Sequence, residues 1–140
     1  MIYLSEEIKS LIKTEGEKAY PNECCGVVYG NYGDCKKAIS IEPIVNASEG
    51  GEQYHRFLIT AEAMLNAELR ARELKLDILG FYHSHPDHPA APSEYDREHA
   101  LPFYSYIIVS VANGKAGDFT SWELSSDREN FFSEEIREMN

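Results

Sequence analysis

The sequence predicts an α/β fold, a single domain over residues 1–140 in which a β-sheet is flanked by helices. Two observations predict it. Segments 5–19 and 60–75 place apolar residues at helical spacing, and six runs of strand length lie between and after them. The size agrees: 140 residues with 43% hydrophobic and 11% aromatic content suffice for one real core, and no repeat or low-complexity tract suggests more.

Taken in order, residues 5–19 read as a helix with Leu4, Ile8, Leu11 and Ile12 at core spacing. Ser5 caps it, and Glu6 and Glu7 favour its positive end. Tyr20-Pro21-Asn22 ends it. Strands over 24–30 and 35–45 follow, joined by the turn chemistry of Gly30-Asn31-Tyr32-Gly33-Asp34. Residues 46–51 read as loop and 52–59 as a returning strand. Thr60 caps a second helix through about 75, where Ala61, Leu65 and Leu69 repeat at four. A buried strand over 78–82 leads into a loop punctuated by Pro86, Pro89 and Pro92, then a short helix over 93–100. Residues 103–112 are aromatic and β-branched on both faces, as in a central strand, and 119–124 alternate like its neighbour. From Ser126 the tail fits both periods, with Phe132 and Ile136 compatible with helix or strand.

Charge and cysteine usage exclude several classes. A formal net charge of −11 argues against a nucleic-acid-binding surface and disfavours anionic membranes. Three cysteines are an odd number, so no disulfide framework is expected. Cys24, Cys25 and Cys35 lack paired Cys-x-x-Cys spacing and read as core residues rather than zinc ligands. The amino terminus has neither a basic start nor a long apolar stretch, and no segment reaches ~18 apolar residues. The expectation is a soluble cytoplasmic protein without membrane or nucleic-acid partners.

The chemistry concentrates at 83–96. On a strand, His83 and His85 share a face and Ser84 turns away, so two imidazoles stand together at the strand's exit, half of a tetrahedral site. Catalytic zinc takes three protein ligands and keeps a position for water, and Asp96 is the nearest well-placed oxygen donor. Two plainer readings apply to the same residues. Ser93-Glu94-Tyr95-Asp96 fits the Ser-x-x-acid pattern that caps a helix, and His-x-His also occurs in exposed loops. A competing metal pattern joins His83, His85, Asp87 and His88, as in metallo-β-lactamase-like binuclear zinc hydrolases. It needs further histidines downstream, where only His99 remains, and a longer chain. Of the other histidines, His99 has the spacing to share a helical face with Asp96. His88 is expected in solvent, and His55 either borders a substrate groove or sits on an exposed strand.

The order Glu23, His83-Ser84-His85-Pro86, Ser93, Asp96 resembles the JAMM motif of MPN-type zinc metalloproteases, with residues 86–92 as the seven intervening positions. Pro21-Asn22-Glu23-Cys24-Cys25-Gly26 before Val27-Val28-Tyr29-Gly30, and Gly80 before the histidines, also resemble that family, over residues 1–125. The resemblance implies an MPN (JAMM) fold with a curved mixed sheet and an extended edge segment for the tail. It implies one Zn2+ per chain on His83, His85 and Asp96, with Glu23 acting on the bound water and Ser93 on the oxyanion. Ser84 belongs to the motif without an assigned chemical role. The compact chain is similar to stand-alone prokaryotic members. For those the resemblance implies a peptidase or isopeptidase that cleaves the amide bond after the C-terminal diglycine of a ubiquitin-like or sulfur-carrier protein, in a groove walled by 46–57 and 86–92. The alternative is a noncatalytic scaffold that binds protein partners.

Overall fold

The structure, a computed structural model, describes residues 1–45 and 59–139. In chain order these form β1 (Ile2–Leu4), α1 (Glu6–Ala19), β2 (Cys25–Asn31), β3 (Lys36–Ile44), α2 (Ala61–Leu74), β4 (Asp77–Pro86), α3 (Glu94–His99), β5 (Ser105–Ala112), β6 (Lys115–Leu124), β7 (Phe131–Glu134) and β8 (Ile136–Glu138). The loop at 46–51, the strand at 52–59 up to residue 58, His55 and the groove wall at 46–57 lie outside the described residues.

All eight strands form one sheet in the order β7-β6-β5-β4-β2-β3-β1-β8. Pairing is mixed: β4 with β5, and β1 with both β3 and β8, are parallel, and the other pairs are antiparallel. Only Glu135 separates β7 from β8, yet they occupy opposite ends of the sheet. The sheet therefore curls until its ends nearly meet, and the Ile2 N–H donates to the Glu135 carbonyl at 3.0 Å. A polar cluster sits inside the curl. Lys36 Nζ donates to the Phe103 carbonyl (3.1 Å), Ser105 Oγ (2.7 Å) and Glu123 Oε2 (3.2 Å), and pairs with the buried Glu134. The tail thus resolves its ambiguity as two extended edge segments.

Two cores face the sheet from opposite sides. On one, α1 packs Ile8 and Ile12 against Val28, Tyr82, Ile107 and Val109. On the other, α2 packs Ala67 and Ala71 against Val27, Tyr29, Phe81 and Tyr106. Both helices start at the expected caps: Ser5 Oγ accepts from the Ile8 N–H and Thr60 Oγ1 from the Ala63 N–H. Their buried stripes differ from the expected ones. In α1 the stripe runs Ile8, Ile12, Gly16, and Leu11 lies roughly 100° from its centre and is exposed. In α2 Ala67 and Ala71 face the sheet while Ala61, Leu65 and Leu69 are exposed, because close helix–sheet approach selects small side chains.

Three further boundaries differ. β1 was not expected. The β5–β6 hairpin is longer than predicted because Asn113 and Gly114, both with positive φ, make a two-residue turn pairing Ala112 with Lys115. β4 runs on through Pro86, with His85 opposite Ser110 of β5, so the histidines lie inside the strand rather than at its exit. The three cysteines carry free thiols.

Candidate metal centre

His83 and His85 project from the same face of β4 and are 1% and 8% exposed, with their Nε2 atoms 3.0 Å apart. The loop after Pro86 turns back so that α3 presents Asp96 to both rings: its Oδ2 lies 3.3 Å from His83 Nε2 and 3.2 Å from His85 Nε2. Glu23, 4% exposed, arrives from just before β2. The antiparallel register sets Cys25 opposite His83, and ligand atoms of Glu23, His83 and His85 lie within 4.8 Å of one another. The structure therefore brings Glu23, His83, His85 and Asp96 together. Ser93 adjoins them as the N-cap of α3: its Oγ accepts the Asp96 N–H at 3.1 Å, while Asp96 Oδ2 accepts the Ser93 N–H at 2.8 Å. Capping and site geometry coexist on the same residues.

The electrostatics are those of a cation site. Burial pushes the Glu23 carboxyl up to about 8, with His85 pulling it down and Asp96 adding to the rise. Burial works against a charge on Asp96 too, yet the two imidazoles and the Ser93 N–H hold that carboxyl well below the usual carboxylate range. Burial depresses the His83 pKa despite the attraction of Asp96. For His85 burial is outweighed by Asp96 and the Pro89 carbonyl, and the net shift is upward. His85 Nδ1 hydrogen-bonds the Pro89 carbonyl at 2.9 Å; donation there leaves the Nε2 lone pair for the centre of the cluster. Two imidazole nitrogens and a carboxylate oxygen then form a triangle with edges of 3.0 to 3.3 Å. Donors held about 2.0–2.1 Å from one tetrahedral zinc ion are separated by roughly 3.3 Å, so the donor set fits that ion in chemistry and in spacing.

The competing binuclear pattern fails. Asp87 adopts φ 56° and turns outward, where its carboxylate accepts the Tyr20 hydroxyl (2.6 Å) and the Asn113 N–H (2.9 Å), and His88 is exposed. Neither adds to the cluster. His99 is exposed, bonds the Tyr95 carbonyl through Nδ1 at 2.9 Å and stacks on the Tyr95 ring. It shares with His83 and Asp96 the wall of an apolar cleft that also includes Met64, Phe81, Leu101 and Tyr106. A second cleft, lined by Glu23, His85, Pro89, Ala91 and Ser93, opens on the other side. The proline-rich loop between them is pinned to the sheet by Ser110 Oγ on the His88 carbonyl (2.7 Å) and Thr120 Oγ1 on the Ala90 carbonyl (2.6 Å). Sequence reasoning missed those anchors, and it missed the contacts of Ser84. Strand alternation already turned Ser84 towards the α1 face, which was the available signal.

Residues 5–125 match the family described as prokaryotic homologs of the JAB domain. The chain belongs to that family. It is similar to the desampylase of Haloferax volcanii, 37% identical over 109 residues that cover 76% of this chain and 73% of the relative. The fold is similar to the solution structure of a protein from Desulfitobacterium hafniense, with a TM-score of 0.85 at 28% identity over 99% of this chain and 93% of the other. A JAB1/MPN domain protein from Archaeoglobus fulgidus superposes with a TM-score of 0.60 at 18% identity, covering 100% and 98% of the two chains. The expected MPN fold, a mixed curved sheet flanked by helices, is therefore the fold of this JAB-domain chain.

Proposed function

We propose that the chain is a zinc-dependent peptidase or isopeptidase that hydrolyses the amide bond after the C-terminal diglycine of a ubiquitin-like or sulfur-carrier protein. The observation that carries this reading is the triangle of His83, His85 and Asp96 with the buried Glu23 beside it. The three triangle residues would hold one Zn2+ per chain. When bound, the ion lowers the pKa of a coordinated water and polarises the scissile carbonyl.

Glu23, buried beside the triangle, is placed to accept the proton of the attacking water and return it to the departing amine. Asp96 supplies negative charge between the two imidazoles and at the same time fixes the start of α3. The Ser93 hydroxyl uses an acceptor lone pair for the Asp96 N–H, and its own proton is left to donate to the oxyanion. Because Glu23 and both imidazoles are almost fully buried, a slim extended chain end reaches them where a bulky one would clash. A diglycine tail meets that requirement, and the desampylase relative supports a ubiquitin-like partner. The convergence of all these groups favours catalysis over a noncatalytic scaffold.

The test is incubation of the zinc-loaded protein with ubiquitin-like and sulfur-carrier proteins that carry residues or lysine conjugates after the diglycine, read by mass spectrometry. Cleavage immediately after the diglycine, abolished by a chelator and restored by Zn2+, is expected. Cleavage that survives chelation, or intact substrates throughout, overturns the proposal.

A further inference from the structure

We infer that Ser84 is the positioning residue for Glu23, a claim that rests on the function proposed above. Ser84 lies between the two histidines on β4, but strand alternation sends its side chain through the sheet to the α1 side, where it is fully buried. There its Oγ accepts the Cys24 N–H at 2.9 Å, while its own N–H donates to the Cys24 carbonyl at 3.2 Å. Both backbone polar groups of Cys24 are thus held by one residue.

The amide that Ser84 Oγ grips is the one joining Glu23 to Cys24. Glu23 and Cys24 precede the first residue of β2, Cys25, so Glu23 stands beyond the sheet ladder. Fixing that peptide plane sets the direction in which the Glu23 carboxylate leaves the backbone. The hydroxyl is also sealed in place. A Cβ built at Gly16 of α1 would come within 3.4 Å of the Ser84 Cβ, so the helix backbone lies directly over the serine. The strand therefore sets the metal cluster from one face and the base from the other: His83 and His85 hold the triangle, and Ser84 holds the acid that serves it.

Loss of the hydroxyl should leave the triangle intact and let Glu23 drift. Ser84→Ala is expected to lower kcat about 10- to 100-fold, the penalty for an ångström-scale misplacement, with KM and zinc content near wild type. The isosteric pair Ser84→Thr and Ser84→Val separates the hydroxyl from bulk, since both add the same volume beneath Gly16 and only Thr keeps the oxygen. Thr should retain most of kcat and Val should lose it. Amide hydrogen exchange gives a readout independent of activity: exchange at Cys24 should speed up about 5- to 10-fold in the Ala and Val variants, as for loss of one hydrogen bond, while Val28 and Ile108 in the sheet stay protected. Wild-type kcat in Ser84→Ala, equal loss in Thr and Val, or unchanged Cys24 exchange overturns the assignment. If the wild-type protein cleaves none of the substrates, the functional proposal falls, and the exchange experiment still decides whether Ser84 holds the Glu23–Cys24 peptide.

Discussion

Replacing Glu23 by Gln should make the metal-free protein more stable, and increasingly so as the pH rises. The Glu23 carboxyl is raised to about 8, first by burial, against the pull of His85 and with a further push from Asp96. An acid whose pKa rises on folding holds its proton more tightly in the native state. Its contribution to stability is complete below the unfolded value near 4.5 and is lost as the pH climbs through about 8. Each pH unit between those limits costs about 1.4 kcal/mol, or roughly 3 kcal/mol by pH 7. Glutamine fills the same volume without titrating, and the couplings to His85 and Asp96 are already contained in the Glu23 shift. In the presence of a chelator, the difference in unfolding free energy between E23Q and wild type should therefore widen by roughly 3 kcal/mol from pH 5 to pH 7.5. Urea melts followed by circular dichroism at constant ionic strength measure it. A difference that does not change with pH refutes the claim that Glu23 is buried with a raised pKa. Saturating Zn2+ should shrink the widening, because a neighbouring dication favours the carboxylate.

Three other perturbations separate the roles of the remaining groups. Ser93→Ala removes both the α3 cap and the proposed oxyanion donor, so melting should fall by the equivalent of about 1 kcal/mol and kcat by roughly 10²- to 10³-fold, with Ser93→Thr near wild type; a kcat within twofold in the Ala variant removes Ser93 from the chemistry. Asp96→Asn keeps an oxygen for the Ser93 N–H but loses the charge between the imidazoles, so helix content should persist while zinc is lost on dialysis; full zinc stoichiometry would point to another ligand. Gly80→Ala would place a Cβ 1.9 Å from the Ser105 carbonyl oxygen and force β4 away from β5, so a loss of at least about 3 kcal/mol is expected, and an unchanged melting temperature contradicts the packing described.

What was legible in the sequence is what is local. The pairing of His83 with His85 follows from the two-residue period of a strand, and the Ser93–Asp96 cap from a four-residue pattern, so three donors and the start of α3 are contained in fourteen consecutive residues. Helix caps were legible for the same reason. The faces of α1 and α2 were not, because Leu11, Leu65 and Leu69 have the right hydrophobicity and the wrong angle or size for the surface they would meet. The closure of the sheet was equally hidden, since pairing β7 with β6 and β8 with β1 depends on the chain curling back over its whole length.

Glu23 is the decisive nonlocal case. Nothing in its own neighbourhood separates it from the other acidic residues among 24, and only the register of β2 on β4 gives it a role. Glu23, Cys25 and Val27 follow one another at spacing two, and Cys25 stands opposite His83, so that series faces the imidazoles while Cys24 and Val28 face α1. A slip of one residue would present Cys24 to the metal cluster and bury the carboxylate against the α1 core. Register therefore decides which side chain meets the imidazoles. The irregularity between Val28 and Tyr29, which shifts the pairing further along the strand, leaves the Cys25–Val28 pairs with β4 undisturbed. The Ser84 grip on Cys24 acts at the other end of the same segment, beyond the last ladder pair, where a slip that exchanged Glu23 for its neighbour would begin.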